Sequence, residues 1–143
     1  MLYQKSIANL EVAKLCLDKK EIFFSVGISR AYYAIFQAAK WLLKENFFDY
    51  DKFRKENPNP NLKDQIDYSH GSIRLALEDF LKKNGFNKNN DFIFIRKMST
   101  AFQDLYGLRR LADYENDSIA KKDLEDSIKK AEMIIDKLKG YNG

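Results

Sequence analysis

The stretch from residue 22 to residue 45, IFFSVGISRAYYAIFQAAKWLLKE, decides the fold. It is built from Ala, Leu, Ile and aromatic residues, with few and scattered polar ones. A helix apolar on most of its sides must be surrounded, so this one belongs at the centre of a helical bundle. The segments on either side supply the neighbours. Upstream, Ile7, Leu10, Ala13 and Leu17 recur at helical spacing, while Lys5, Glu11, Lys14 and Asp18 fall largely elsewhere, which predicts a first helix over about 3–19.

Downstream the pattern breaks. Residues 46–66 hold both prolines, Pro58 and Pro60, among polar neighbours. Each proline lacks an N–H and pushes the residue before it out of helical space, so a long polar loop is expected. Phe47, Phe48, Tyr50 and Phe53 stand at its start and read either as a cover for the core or as a docking patch. A third helix follows over about 69–83, with Asp67 or Ser69 as its cap, Ile73, Leu77, Phe80 and Leu81 as its apolar face, and Asn84-Gly85 as its stop. The fourth runs over about 91–113 with a stripe of Ile95, Met98, Phe102, Leu105 and Leu108. After a turn at 115–118, with Asp117 or Ser118 as cap, a fifth runs to about 139 on Leu124, Ile128, Ala131, Ile135 and Leu138. The expectation is all-α: an antiparallel up-and-down bundle of four to five helices, one domain over residues 1–143.

Composition agrees. Of the 143 residues, 45% are hydrophobic, enough for one core, and the 6 Gly and 2 Pro are too few for a turn-rich β fold. The net charge of +4 permits contact with nucleic acid without demanding it. The lone cysteine, Cys16, sits in an apolar helical stretch and reads as a core thiol. Apolar runs fall short of the roughly 20 residues a membrane span needs, and charges occupy the N-terminal region where a signal peptide would be apolar. A cytoplasmic protein without a membrane partner is expected.

Several chemistries are excluded. There is no Gly-rich phosphate loop, and a single Cys with a single His cannot form a Cys/His zinc site, so neither metal nor cofactor is expected. What remains is a set of polar residues in or beside apolar helix faces: Arg30 in SRAYYAIF, His70 in SHGSI, and Arg109, Arg110, Asp113 and Tyr114 in LYGLRRLADY. Arg109 and Asp113 are spaced i, i+4 and share a helix face. Asp113 opposes the helix dipole near a C-terminus, so a cation, with Arg30 as a second candidate, should compensate it. That is one reading, a structural ion pair.

The other is an anion-binding or phosphodiester-cleaving site. Metal-free RNA cleavage needs a base for the 2′-hydroxyl, a cation for the pentavalent phosphate and an acid for the leaving oxygen. Arg109, with Arg110 behind it, supplies a cation whose planar fork suits phosphate. His70 titrates near neutrality and can act as acid or base. Tyr114 can orient a phosphate oxygen. Against this, the dipole at a helix start disfavours a protonated His70, and a lone histidine is more often structural. Tyr32, Tyr33 and Trp41 read mostly as core.

Taken together, SRAYYAIFQAAKWLL, SHGSI and LYGLRRLADY resemble the short stand-alone HEPN proteins of bacteria and archaea, over about residues 5–139. The resemblance implies a helical bundle that is usually a homodimer. In the wider superfamily it implies metal-independent RNases. Many of these are toxins paired with a nucleotidyltransferase antitoxin, or act in CRISPR systems and phage defence. The catalytic signature there is an Arg followed four to six residues later by a His near the end of the fourth helix. This chain carries the Arg, at Arg109, with Asp113 and Tyr114 where the His would stand. Some relatives are thought to bind a nucleotide or a partner protein without cleaving, which is the alternative reading.

Overall fold

The computed structural model describes residues 2–58, 70–85, 89–114 and 119–141, the side chains of His70, Asn89, Asn90 and Tyr114 excepted. Its helices are α1 (Leu2–Cys16), α2 (Phe24–Glu45), α3 (Tyr50–Glu56), α4 (His70–Lys83), α5 (Asn89–Tyr114) and α6 (Lys121–Lys139), with a 3₁₀ turn at Glu21–Phe23 leading into α2. Among the described residues there is no strand, and no helix is long and apolar enough to cross a membrane.

The apolar helix read first is the hub. α2 packs against α1, α4, α5 and α6, and twelve of its 22 residues are buried, which is why so few polar side chains interrupt it. Side-chain contacts fix the helix directions. Ser6 Oγ donates to the Ala34 carbonyl and Asn9 lies against Arg30 and Gln37, while Cys16 stands beside Gly27, so α1 and α2 are antiparallel. Ser29 meets Asp113 and Tyr32 meets Tyr106, making α2 and α5 antiparallel. Lys130 pairs with Asp104 and Lys137 lies over Phe94, so α5 and α6 also run oppositely. Tyr3 touches both Trp41 and Lys139, which sets α6 parallel to α2 across the bundle.

At Gly27 three helices approach one another closely. A Cβ there would lie 2.7 Å from Leu124 Cδ1 and 3.0 Å from Cys16 Cβ, so the hydrogen of glycine lets α1, α2 and α6 meet. The Cys16 thiol is buried in this region, and burial pushes its pKa up. That agrees with its reading as a core residue.

Helix ends explain the boundaries. α2 closes with Phe47 N–H donating to Lys44 O at 3.1 Å and Phe48 N–H to Leu43 O at 3.0 Å, a Schellman motif with Phe47 at a φ of 53°. Asn46, Asn57 and Asn84 each turn a side-chain amide back to the carbonyl four residues earlier, at 2.8, 2.9 and 2.8 Å. Gly85, at a φ of 104°, stops α4 as expected. α6 starts at Lys121, and Asp123 reaches back to accept from Ala120 N–H at 3.1 Å. The proposed caps Asp67, Ser69, Asp117 and Ser118 lie outside the described residues.

The stretch read as loop over 46–66 holds α3. Asp49 caps it by accepting from Lys52 N–H at 3.0 Å, and the helix ends just before Pro58. Phe53 is buried, with Phe48 5.7 Å away and Phe80 beyond. The aromatic run therefore covers the core, with one exception: Phe47 is 93% exposed.

Candidate functional site

The site forms where the C-terminal half of α5 crosses the N-terminal half of α2. Arg109 and Asp113, one turn apart on α5, face α2 together: Arg109 Nε lies 3.3 Å from Asp113 Oδ2. The pair satisfies charge but not direction. Arg109 Nε is buried and has no hydrogen-bond acceptor among the described residues. The guanidinium instead lies over two rings of α2, with its Cζ 5.0 Å from the centroid of Tyr33 and 5.5 Å from that of Tyr32. Ser29 Oγ, one turn earlier on α2, donates to Asp113 Oδ1 at 3.5 Å. The cluster is thus Ser29, Tyr32, Tyr33, Arg109 and Asp113.

Its electrostatics follow from burial. The Arg109 side chain is 16% exposed and Asp113 is 34% exposed, so the cation is held deeper than its counter-charge. Tyr32 is 1% exposed. Burial pushes its phenol well above the usual tyrosine range, and Arg109 acts in the opposite direction. The arrangement presents a fixed guanidinium, with donors not committed to Asp113, beside a carboxylate that water can reach. Such a group can hold an anionic oxygen, and the carboxylate can accept a proton.

Arg30 departs from expectation. It does not compensate Asp113: its Nη1 donates to Asn9 Oδ1 at 3.2 Å, on the α1 side of α2. Successive helical residues point about 100° apart, so when Ser29 faces α5 the next side chain faces α1. Asn9 Nδ2 donates in turn to Gln37 Oε1 at 2.7 Å. This polar seam between α1 and α2 went unread in the sequence, where Asn9 and Gln37 look like ordinary surface residues. Ser29 was missed as well, its only signal being adjacency to Arg30. Arg110 is exposed, 6.0 Å over the Tyr106 ring, and points away from Arg109. His70 opens α4 and Tyr114 closes α5, and both side chains lie outside the described residues.

Comparison with known proteins gives one point of contact. No family description matches the chain, and no solved structure matches it. Over 131 residues, covering 92% of this chain and 78% of the relative, the sequence is 28% identical to a Methanocaldococcus jannaschii protein named "Putative toxin MJ0605".

Proposed function

We propose that this chain is a HEPN-like toxin of a toxin–antitoxin or phage-defence system, and that it acts on RNA through Arg109. The observation that carries the reading is the Arg109 guanidinium, fixed on two tyrosine rings beside Asp113, with an Nε–H that nothing among the described residues accepts. A cation oriented in advance suits a phosphate whose charge grows in the transition state. The similarity to a protein named as a toxin supplies the biological setting.

In this mechanism the 2′-oxygen attacks the neighbouring phosphorus while Asp113 takes its proton. Arg109 steadies the pentavalent phosphate, and the 5′-oxygen leaves with a proton from His70. The products are a 2′,3′-cyclic phosphate and a free 5′-hydroxyl, and no metal is required. The cognate partner would be a nucleotidyltransferase-type antitoxin. A second copy of the chain would pair through the corner where α1 turns into α2. There Leu15, Ile22, Phe23 and Val26 are 62%, 76%, 45% and 43% exposed.

The test is incubation of purified protein with RNA in the presence of a chelator. Loss of one oxyanion donor typically costs about 10²–10³ in rate, and Arg109→Ala should lose cleavage on that scale; it also loses packing on the two rings, so retention of the fold is checked by circular dichroism. Equal cleavage by the variant would sink the site. Unimpaired growth on induction of the wild-type chain would sink the toxin reading.

A second reading is favoured by Asp113 itself, which stands where the catalytic signature carries His. An ionised carboxylate cannot readily donate a proton, so the same cluster can serve as a non-catalytic nucleotide- or partner-binding site. Calorimetry showing ATP binding that Arg109→Ala abolishes, with RNA left intact, would select it.

A further inference from the structure

We propose that the exposed face of α5 from Arg96 to Arg110 is a binding track for single-stranded RNA, on a different face of that helix from Arg109. The inference rests on the RNA reading above and adds a second surface to it. Arg96, Thr100, Gln103, Gly107 and Arg110 are all exposed. Their spacing of four, three, four and three residues places them in one row along the helix. At 1.5 Å per residue the row is roughly 21 Å long. It contains no carboxylate and has a cation at each end.

The far end opens into a cavity of about 370 Å³ between α4 and α5, lined by Lys82, Arg96, Ser99, Thr100, Phe92 and Glu78. Its one carboxylate is occupied: Glu78 pairs with Arg74 at 3.0 Å. Among the described residues, Lys82 and Arg96 have neither an ion pair nor a hydrogen bond. Two unpaired cations beside two hydroxyls form an anion-binding arrangement with its charge uncancelled.

The rings identify the anion. Phe92 is 45% exposed at the groove, and Tyr106 is 38% exposed near the other end with Arg110 over it. Cations that track a backbone, beside an exposed ring such as Phe92, suit a strand whose bases are free to stack. A duplex hides those faces. Gly107 keeps the middle of the row low: a Cβ there would meet nothing within 4 Å.

The experiment is fluorescence anisotropy of the full chain with a short single-stranded RNA across a salt series. Lys82→Gln with Arg96→Gln should weaken binding at least tenfold. It should also flatten the slope of log K against log salt by about 1.4, since each lost phosphate contact on a single strand removes about 0.7. Phe92→Ala should weaken binding about tenfold, through lost stacking. All three side chains border solvent, so thermal melts should stay close to wild type. Wild-type affinity and slope in the double charge variant, with Arg109→Gln still weakened, would overturn the track and leave the Arg109 site standing. Absence of RNA binding by the wild-type chain would overturn both.

Discussion

At Phe47 the backbone takes a left-handed φ of 53° while the ring is 93% exposed. A side chain with a Cβ costs roughly 1–2 kcal/mol in that conformation, and this ring recovers almost none of it by packing. Phe47→Gly is therefore expected to raise stability by about 1 kcal/mol, read as a higher denaturation midpoint at unchanged m-value. Tyr32 gives the matching prediction for pH. Its phenol is raised chiefly by burial, so the unfolded chain ionises first, near pH 10. The stabilisation is whole below that pH and is lost as pH climbs towards the folded value. Stability should fall above about pH 10 with a contribution of at most about 1.4 kcal/mol per pH unit, and Tyr32→Phe should fall less steeply. The Arg109–Asp113 pair was legible because i, i+4 spacing is a property of one helix. Arg30 was not, because its direction depends on which neighbours flank α2, and one residue's rotation decides between α1 and α5.

Among the elements, the long periodic helices could be read directly. α2, α4, α5 and α6 begin or end within about two residues of their expected limits, and α1 stops at Cys16 where the pattern ran on to Lys19. α3 escaped notice because YDKFRKE is polar apart from its two rings, and only Phe53 is buried. Its helix comes from the Asp49 cap and from a tertiary contact, neither of which leaves periodicity behind. The close approach at Gly27 belongs to this scale. Gly27→Ala should gain about 1 kcal/mol in helix propensity and lose about 1–3 kcal/mol through overpacking against Leu124 and Cys16. A net loss of about 1 kcal/mol is expected by thermal or chemical denaturation. Combining it with Leu124→Val should give a smaller loss than the two single effects summed, since the substitutions share one contact.

For the molecule as a whole, the all-α class follows from the apolar α2 and its amphipathic companions. The path between α2 and α4 does not, because it depends on direction. α4 is antiparallel to α5, as Arg74 bonding Ser99 and the groove from Lys82 to Phe92 require, so it runs parallel to α2. α3 lies on the segment between them. The proposed pairing of two copies is tested at this scale. Light scattering at micromolar concentration should give twice the 16.8 kDa chain mass. Ile22→Glu with Phe23→Glu should give the monomer while helicity is retained. A monomeric wild-type protein would remove that pairing.

Lys139 over the Tyr3 ring sets the last turn of α6 against the first turn of α1. The two ends of the described chain thus close on one another, with the last turn of α6 sealing the first turn of α1. A nascent chain cut short before Lys121 has no cover for the α1–α2 hairpin and cannot complete its interior.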